Sequence, residues 1–335
     1  MTVYLLRRIF SMIPTLFGVT ILAFLIANLI PGDPARLQAG PNASREVVER
    51  LREKLGLDDP LLIQYSRYLS HLFQGDLGTS IRTRRPVLGD LKTRFPATFE
   101  LTLTALLFSG IGGIILGTLA AVKQDSLIDH GSRVVALAGV AVPSFWLGII
   151  LQLIFFFKLR LLPSSGRIGQ FISSPTHISG LYVFDSLFAG NWTALGSSLL
   201  HLVMPAVTLS LGALALVSRT VRSSVLDVIS LDYVQTARSK GLRERIVIRK
   251  HVLRNALIPV VTMSGMTLAA LLGGTVLIET VFTWPGMGLY VVNSIFALDF
   301  PAIMGFTVLA ALIVQIMNLF VDISYVFLDP RIRYG

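Results

Sequence analysis

Six long runs of uncharged, mostly apolar residues alternate with polar stretches along the chain, at 9–32, 101–122, 134–157, 186–218, 255–278 and 300–321. Each reaches the roughly 20 residues that a helix needs to cross the hydrocarbon core. They predict spans at about 9–30, 101–122, 134–157, 199–217, 257–278 and 301–327, the last continuing past Asp322. A seventh uncharged run, 280–298, contains Trp284-Pro285-Gly286-Met287-Gly288, a sequence that breaks a helix. It reads as a short interfacial or re-entrant segment. The pattern predicts an all-α membrane protein of six transmembrane helices.

Between the first two spans the periodicity turns amphipathic. After Ser44, an N-cap, Val47, Leu51 and Leu55 recur at helical spacing up to Gly56. Asp59-Pro60 opens a second helix with Leu62, Tyr65, Leu69, Leu72 and Phe73 on its apolar side. These faces either form a small subdomain or lie on the membrane surface. The stretch 158–198 is poor in charge and rich in Gly, Ser, Pro and aromatics, and is expected to fold over the mouth of the bundle.

Composition sharpens the membrane reading. The 335 residues are 53% hydrophobic and only 14% charged, which excludes a disordered scaffold and makes nucleic acid a poor partner despite a net charge of +10. With no cysteine there is no disulfide and no thiolate metal site. Six spans place both termini on one side, and the basic residues are then distributed fifteen to three between that side and the short loops opposite, the other eleven lying in the loop 33–99, which at 67 residues is too long for the positive-inside rule to count. The positive-inside rule puts both termini in the cytoplasm and makes the region after the first span extracytoplasmic. The division expected is 1–95, the first span with an extracytoplasmic helical region; 96–328, the membrane core, with a cytoplasmic loop at 219–256; and 329–335, a cytoplasmic tail.

That cytoplasmic loop is the most informative stretch. Leu226, Ile229, Tyr233 and Ala237 are expected on one face of a helix that stops at Gly241, and Leu242, Ile246 and Leu253 on one side of a second. Arg243, Arg245, Arg249, Lys250 and Arg254 take its other sides. A helix, a glycine hinge and a second helix make a knob able to pass force to a soluble partner. The basic residues alone fit the positive-inside rule and attraction to anionic membrane lipid. Glu279 and Asp322 stand at span edges; interfacial placement is expected, and the alternative is a buried carboxylate marking a proton or cation path.

The stretch Asp232-Tyr233-Val234-Gln235-Thr236-Ala237-Arg238-Ser239-Lys240-Gly241, with Arg254-Asn255-Ala256-Leu257-Ile258-Pro259 after it, resembles the EAA loop of ABC importer inner-membrane permeases, in the dipeptide, oligopeptide, glutathione and nickel branch. Gln235 and Thr236 stand where the general motif has Glu and Ala, and the interval from Gly241 to Pro259 is longer than in the general pattern. Similar signatures stand in order along nearly the whole chain: Pro31-Gly32-Asp33-Pro34, Gly75-Asp76-Leu77-Gly78, Phe95-Pro96-Ala97-Thr98, Trp284-Pro285-Gly286-Met287-Gly288 and Asp329-Pro330-Arg331.

The resemblance implies the type I importer permease fold and a multi-pass subunit of the bacterial cytoplasmic membrane. Such a subunit pairs with a second, related permease, with two ATPase subunits and with an extracytoplasmic substrate-binding protein. It implies ATP-driven import of short peptides, with glutathione, nickel chelates or oligosaccharides as alternative cargo. Asp232, Gln235, Thr236, Ala237, Gly241 and Pro259 become coupling residues, none of them catalytic. The chain has no G-x-x-x-x-G-K-[ST] loop, so ATP and Mg are expected on the partner subunits and no cofactor on this one. His71, His130, His177, His201 and His251 lack metal-ligand spacing. A channel or ion-coupled carrier is the reading from another class, and it lacks an ionisable group near the middle of any span.

Overall fold

A computed structural model describes residues 2–29, 33–40 and 42–328 of the chain. Its helices are α1 (Thr2–Leu29), α2 (Pro34–Ala39), α3 (Arg45–Leu55), α4 (Leu61–Phe73), α5 (Val87–Val122), α6 (Leu127–Ala141), α7 (Ser144–Leu151) and α8 (Tyr182–Phe188). There follow α9 (Trp192–Ile229), α10 (Asp232–Ser239), α11 (Glu244–Ile246), α12 (Leu253–Ala256), α13 (Ile258–Val281), α14 (Met287–Phe296) and α15 (Phe300–Leu328). Two π-helical turns, Gln152–Lys158 and Val247–Val252, continue α7 and join α11 to α12. Among the described residues five helices are long and apolar enough to cross a membrane, and α6 with α7 makes a sixth span if the bent pair counts as one.

The span expected at 134–157 falls on that pair, and it is bent. The two helices meet at 109°. Proline at 143 has no N–H to give, and the residue before a proline is pushed out of the helical region; Val142 is accordingly extended, at ψ 123°. The run 280–298 is broken as expected: α13 ends at Val281 and α14 is a separate helix of 10 residues. Pro31, Gly32, the tail 329–335 and the Asp322 side chain lie outside the described residues.

The described residues form two compact units, one from the residues up to Pro96 with Gly286–Leu319, the other from Ala97–Pro285 with residues 320–328. In the first, Asp33 caps α2 through the Ala35 amide (3.0 Å) and pairs with Arg52 of α3 (2.6 Å). Partial burial opposes ionisation of Asp33, but the Arg52 hydrogen bond wins and holds its carboxyl below the usual value. The α3 stripe is displaced from the one expected: Val48 is its buried residue and Val47 is exposed. Helix α4 rests on α1, with Tyr65 against Phe17 and Phe24 and its hydroxyl 2.9 Å from Thr20 Oγ1, while Leu62 and Phe73 stay exposed. A separate core gathers Val87, Leu91, Met287, Tyr290 and Ala302. Beside it, the fully buried Asp299 accepts from Ser80 Oγ and from the amides of Ile81 and Arg82, pinning the turn that follows Gly75-Asp76-Leu77-Gly78.

In the second unit α9 is the central element, and α6, α7, α8, α12 and α13 all pack on it. Its 38 residues follow Asn191, whose side chain accepts from the Ala194 amide and caps the helix. The segment of α5 from Ala97 on approaches α9 closely through a G-x-x-x-G step, Gly113 and Gly117. A Cβ at Gly117 would lie 2.5 Å from the Ser218 carbonyl oxygen, and one at Gly113 2.6 Å from Val217. Asp129 of α6, fully buried, binds the Arg222 guanidinium of α9 in a fork (2.7 and 2.8 Å) and also Arg133 (2.6 Å).

Candidate functional site

Three features of the second unit bear on function. The first is the loop after α9. The expected single helix through Leu226, Ile229, Tyr233 and Ala237 breaks at Ser230 and Leu231, so that α10 turns back as the first arm of a hairpin. Val234 and Ala237 anchor this arm in a cluster with Val221 and Val225 of α9 and with Val247 and Val252 of the second arm. Between the arms Gly241 has φ 74°, a left-handed conformation that costs any residue with a Cβ, and its N–H closes the turn on the Arg238 carbonyl (2.9 Å).

Polar contacts tie the two arms. Arg238 binds Glu244 in a fork from one guanidinium edge, Nη2 at 2.7 Å and Nε at 3.2 Å, and this pairing, against some desolvation, holds the Glu244 carboxyl below its ordinary value. The Tyr233 hydroxyl donates to the His251 carbonyl (3.2 Å) and accepts from Asn255 (2.8 Å).

The expected site residues divide. Asp232, Gln235 and Thr236, at i, i+3 and i+4, are exposed on α10, and Gly241 is exposed at the hairpin tip. Ala237 faces the other way, into the valine cluster, so it holds the arm in place. Pro259 is not brought to this face; it lies in the first turn of α13, as its second residue. The second arm departs from the expected stripe of Leu242, Ile246 and Leu253. The π turn buries Val247 and Val252, five apart, and leaves Leu242 and Ile246 exposed. Sequence reasoning missed Tyr233, Asn255 and the Arg238–Glu244 pair as ties. Only the opposite charges six residues apart across a glycine hinted at the last.

The second feature is a cavity of about 650 Å3 where the bend between α6 and α7 meets α9 and α13. Pro143, Thr208, Gly212, Met263, Met266 and Gly274 are in its wall, and no charged residue lines it. Main chain freed by Pro143 is tolerable at membrane depth where it lines such a space.

The third lies at the other end of α9. Arg167 and Glu100, both 7% exposed, form an ion pair. The Arg167 guanidinium stacks 3.8 Å from the Tyr182 ring centroid and donates to the Gly180 carbonyl (3.0 Å), while Glu100 accepts from the Val183 amide (2.8 Å). Asp185 collects the amides of Ile178, Ser179 and Gly180; burial disfavours its charge, but these bonds and the Ser179 hydroxyl hold its carboxyl below the usual value. Gln152 donates to the carbonyls of Ser164 and Val281, and Trp284 Nε1 to that of Ala97 (2.8 Å). The loop 159–181 is thereby stitched to the ends of three helices. Glu279, expected at an interface, is instead fully buried and accepts from Thr98 Oγ1 (2.6 Å). The hydroxyl gives that carboxyl a partner inside the bundle.

Residues 113–334 match the family described as binding-protein-dependent transport system inner membrane component, and residues 1–102 match the N-terminal family of the same membrane components. The chain belongs to this family. It is 47% identical over 329 residues to the "Probable D,D-dipeptide transport system permease protein" of Escherichia coli K12, an alignment covering 98% of this chain and 97% of that one. It is 42% identical to a dipeptide transport system permease protein of Alkalihalophilus pseudofirmus, over all of both chains. A glutathione transport system permease protein of Salmonella paratyphi A is 40% identical over 99% of each. This permease is therefore a multi-pass protein of the bacterial inner membrane, the membrane component of an ABC transporter that also comprises ATPase and binding-protein subunits.

Proposed function

We infer that this permease imports short peptides across the cytoplasmic membrane, and that it contains no catalytic residue of its own. The observation that carries the reading is its likeness, over nearly the whole chain, to permeases named for dipeptides. The uncharged, partly methionine-lined cavity supports it. Peptides that share a backbone but differ in side-chain charge are best passed by a wall with no fixed charge and with adaptable thioethers. Glutathione is the second reading, favoured by relatives at 40% identity that are named for it.

In this reading the hairpin 230–257 lies in the cytoplasm with both termini, in keeping with the fifteen-to-three basic bias. Asp232, Gln235 and Thr236 present a docking face to an ATPase subunit, Gly241 gives the tip its turn, Ala237 seats the arm and Pro259 lies in the first turn of the span that follows it. A second, related permease completes the conduit, two ATPases hold ATP and Mg, and an extracytoplasmic binding protein delivers cargo. ATP-driven closure of the ATPases pushes the hairpin, and α9 and α13, which carry the walls of the cavity, move with it.

The test is uptake of a labelled dipeptide by cells carrying Gly241→Trp. Uptake is expected to vanish while membrane insertion persists. Full uptake would remove Gly241 from the coupling path. In proteoliposomes holding all subunits, excess unlabelled dipeptide is expected to suppress uptake more than equimolar glutathione; the reverse order would make glutathione the cargo.

A further inference from the structure

The second arm of the hairpin carries a charge pattern that docking through α10 leaves unused. Arg243, Arg245, Arg249, Lys250 and Arg254 accompany a single acid, Glu244, which Arg238 of the first arm already binds. Four of these cations, Arg245, Arg249, Lys250 and Arg254, line one hollow of about 550 Å3 together with Ile246. No acidic side chain lines it, and none of the four forms an ion pair among the described residues. Four like charges held round one space repel one another, and a bound anion relieves that repulsion.

The backbone brings them together. Nine residues of α-helix make about two and a half turns, which would set Arg245 and Arg254 on opposite sides. The π turn Val247–Val252 winds more slowly, bonding i to i+5, and carries Arg254 back toward the side of Arg245. The same turn buries Val247 and Val252 against α9, which fixes the cationic side outward. Further along the chain, Arg254 precedes Ile258, the first residue of α13, by four residues, a rise of about 6 Å if helical. Ile258 and Val261 at the start of that span are exposed, as is Ile246 in the hollow. Cations thus give way to exposed apolar surface over one turn, the order of chemistry met on passing from lipid headgroup to acyl chain.

We propose that this hollow binds the phosphate-bearing headgroup of an anionic phospholipid, with Arg245, Arg249, Lys250 and Arg254 as its ligands. The two arms then divide their work: α10 offers the partner-facing polar side, and the π turn holds the root of the hairpin against the membrane surface. Guanidinium forks suit phosphate oxygens. The site requires no particular cargo, and the proposal is independent of what the transporter carries.

The test uses the full-length permease in nanodiscs made from phosphatidylcholine and phosphatidylglycerol in a 7:3 ratio, extracted into detergent, with retained lipid counted by native mass spectrometry. The wild-type chain is expected to keep phosphatidylglycerol in preference to phosphatidylcholine. The Arg245→Gln, Arg249→Gln, Lys250→Gln, Arg254→Gln variant is expected to lose that preference and still co-purify with its ATPase subunits. Arg249→Gln alone, in case the fourfold variant does not insert, is expected to lower the preference about fivefold. An undiminished preference in either variant overturns the proposal. So does loss of ATPase co-purification with lipid retention intact, which would assign the patch to the protein partner. Displacement of the lipid by millimolar inorganic phosphate would make the hollow a general anion site and overturn it too.

Discussion

The two ends of α9 hold their neighbours in opposite ways. Near its start, the loop 159–181 is bound through a buried ion pair, a stacked guanidinium and the Gln152 amide donating to the Ser164 carbonyl. Past its end, the hairpin around Gly241 is seated by small aliphatic side chains, and its arms are tied by exposed polar contacts. Buried charges bonded to main chain have one low-energy arrangement, because any displacement leaves a desolvated charge unpaired. Valines sliding over valines under a tie that water can replace have many. The first end is built to keep its shape and the second to be moved as a body.

The sharpest attempt to break this contrast is Arg167→Met, which strands Glu100 in the interior. It is expected to cost about 3–5 kcal/mol, read as a drop in the thermal unfolding temperature of the purified permease. Replacing both partners with apolar residues of similar size is expected to restore most of the loss, since no charge is then stranded. Unfolding at the wild-type temperature in Arg167→Met would erase the distinction.

Asp129→Asn probes whether the neighbourhood of the hairpin is soft throughout. Asp129 is fully buried between Arg222 and Arg133, and its loss is expected to cost about 2 kcal/mol. Calorimetry would place it between the two extremes and mark α6 on α9 as rigid. Gly241→Val comes next, at about 1–2 kcal/mol for a β-branched residue at positive φ. Open space around that position confines the effect to the turn, so hydrogen exchange is expected to quicken at 238–246 and nowhere in α9.

The smallest effect belongs to the Arg238–Glu244 tie, half-exposed and contributing under about 1 kcal/mol. Because the Glu244 carboxyl is held below its ordinary value of 4.5, the tie is fully present above that pH and is lost as pH falls through the lowered value. Exchange protection of the hairpin is expected to be flat from pH 8 to about 5 and to fall below it. Glu244→Gln is expected to remove that fall.

Much of the fold was legible because a span announces itself by length alone: α5, α9 and α15 cover their predicted segments, and α1 and α13 cover all but one residue of theirs. The break at Trp284-Pro285-Gly286 was legible too, since ending a helix within an apolar run demands particular residues. What was hidden involved a choice between periods or between partners. Val247 and Val252 make a face only if the backbone adds a residue to its turn, and a 3.6-residue reading points to Leu242 and Ile246 instead. Pro143 was visible, but a proline within an apolar run can kink a helix slightly or fold it by 109°. Glu279 was placed at an interface because a carboxylate in a span is costly, and no local pattern tells of the threonine 181 residues away that binds it.

Helix α9 has one further property, which comes from its length. Its 38 residues make a rod about 57 Å long, nearly twice the hydrocarbon thickness, with Pro205 as its one internal weak joint. From that joint to Ile229 is about 36 Å, so a tilt of about 10° sweeps the far tip through some 6 Å while residues next to the joint hardly shift. Geometry of this kind acts as a gear, with the travel of a tip in water exchanged for a small, forceful adjustment deep in the bilayer.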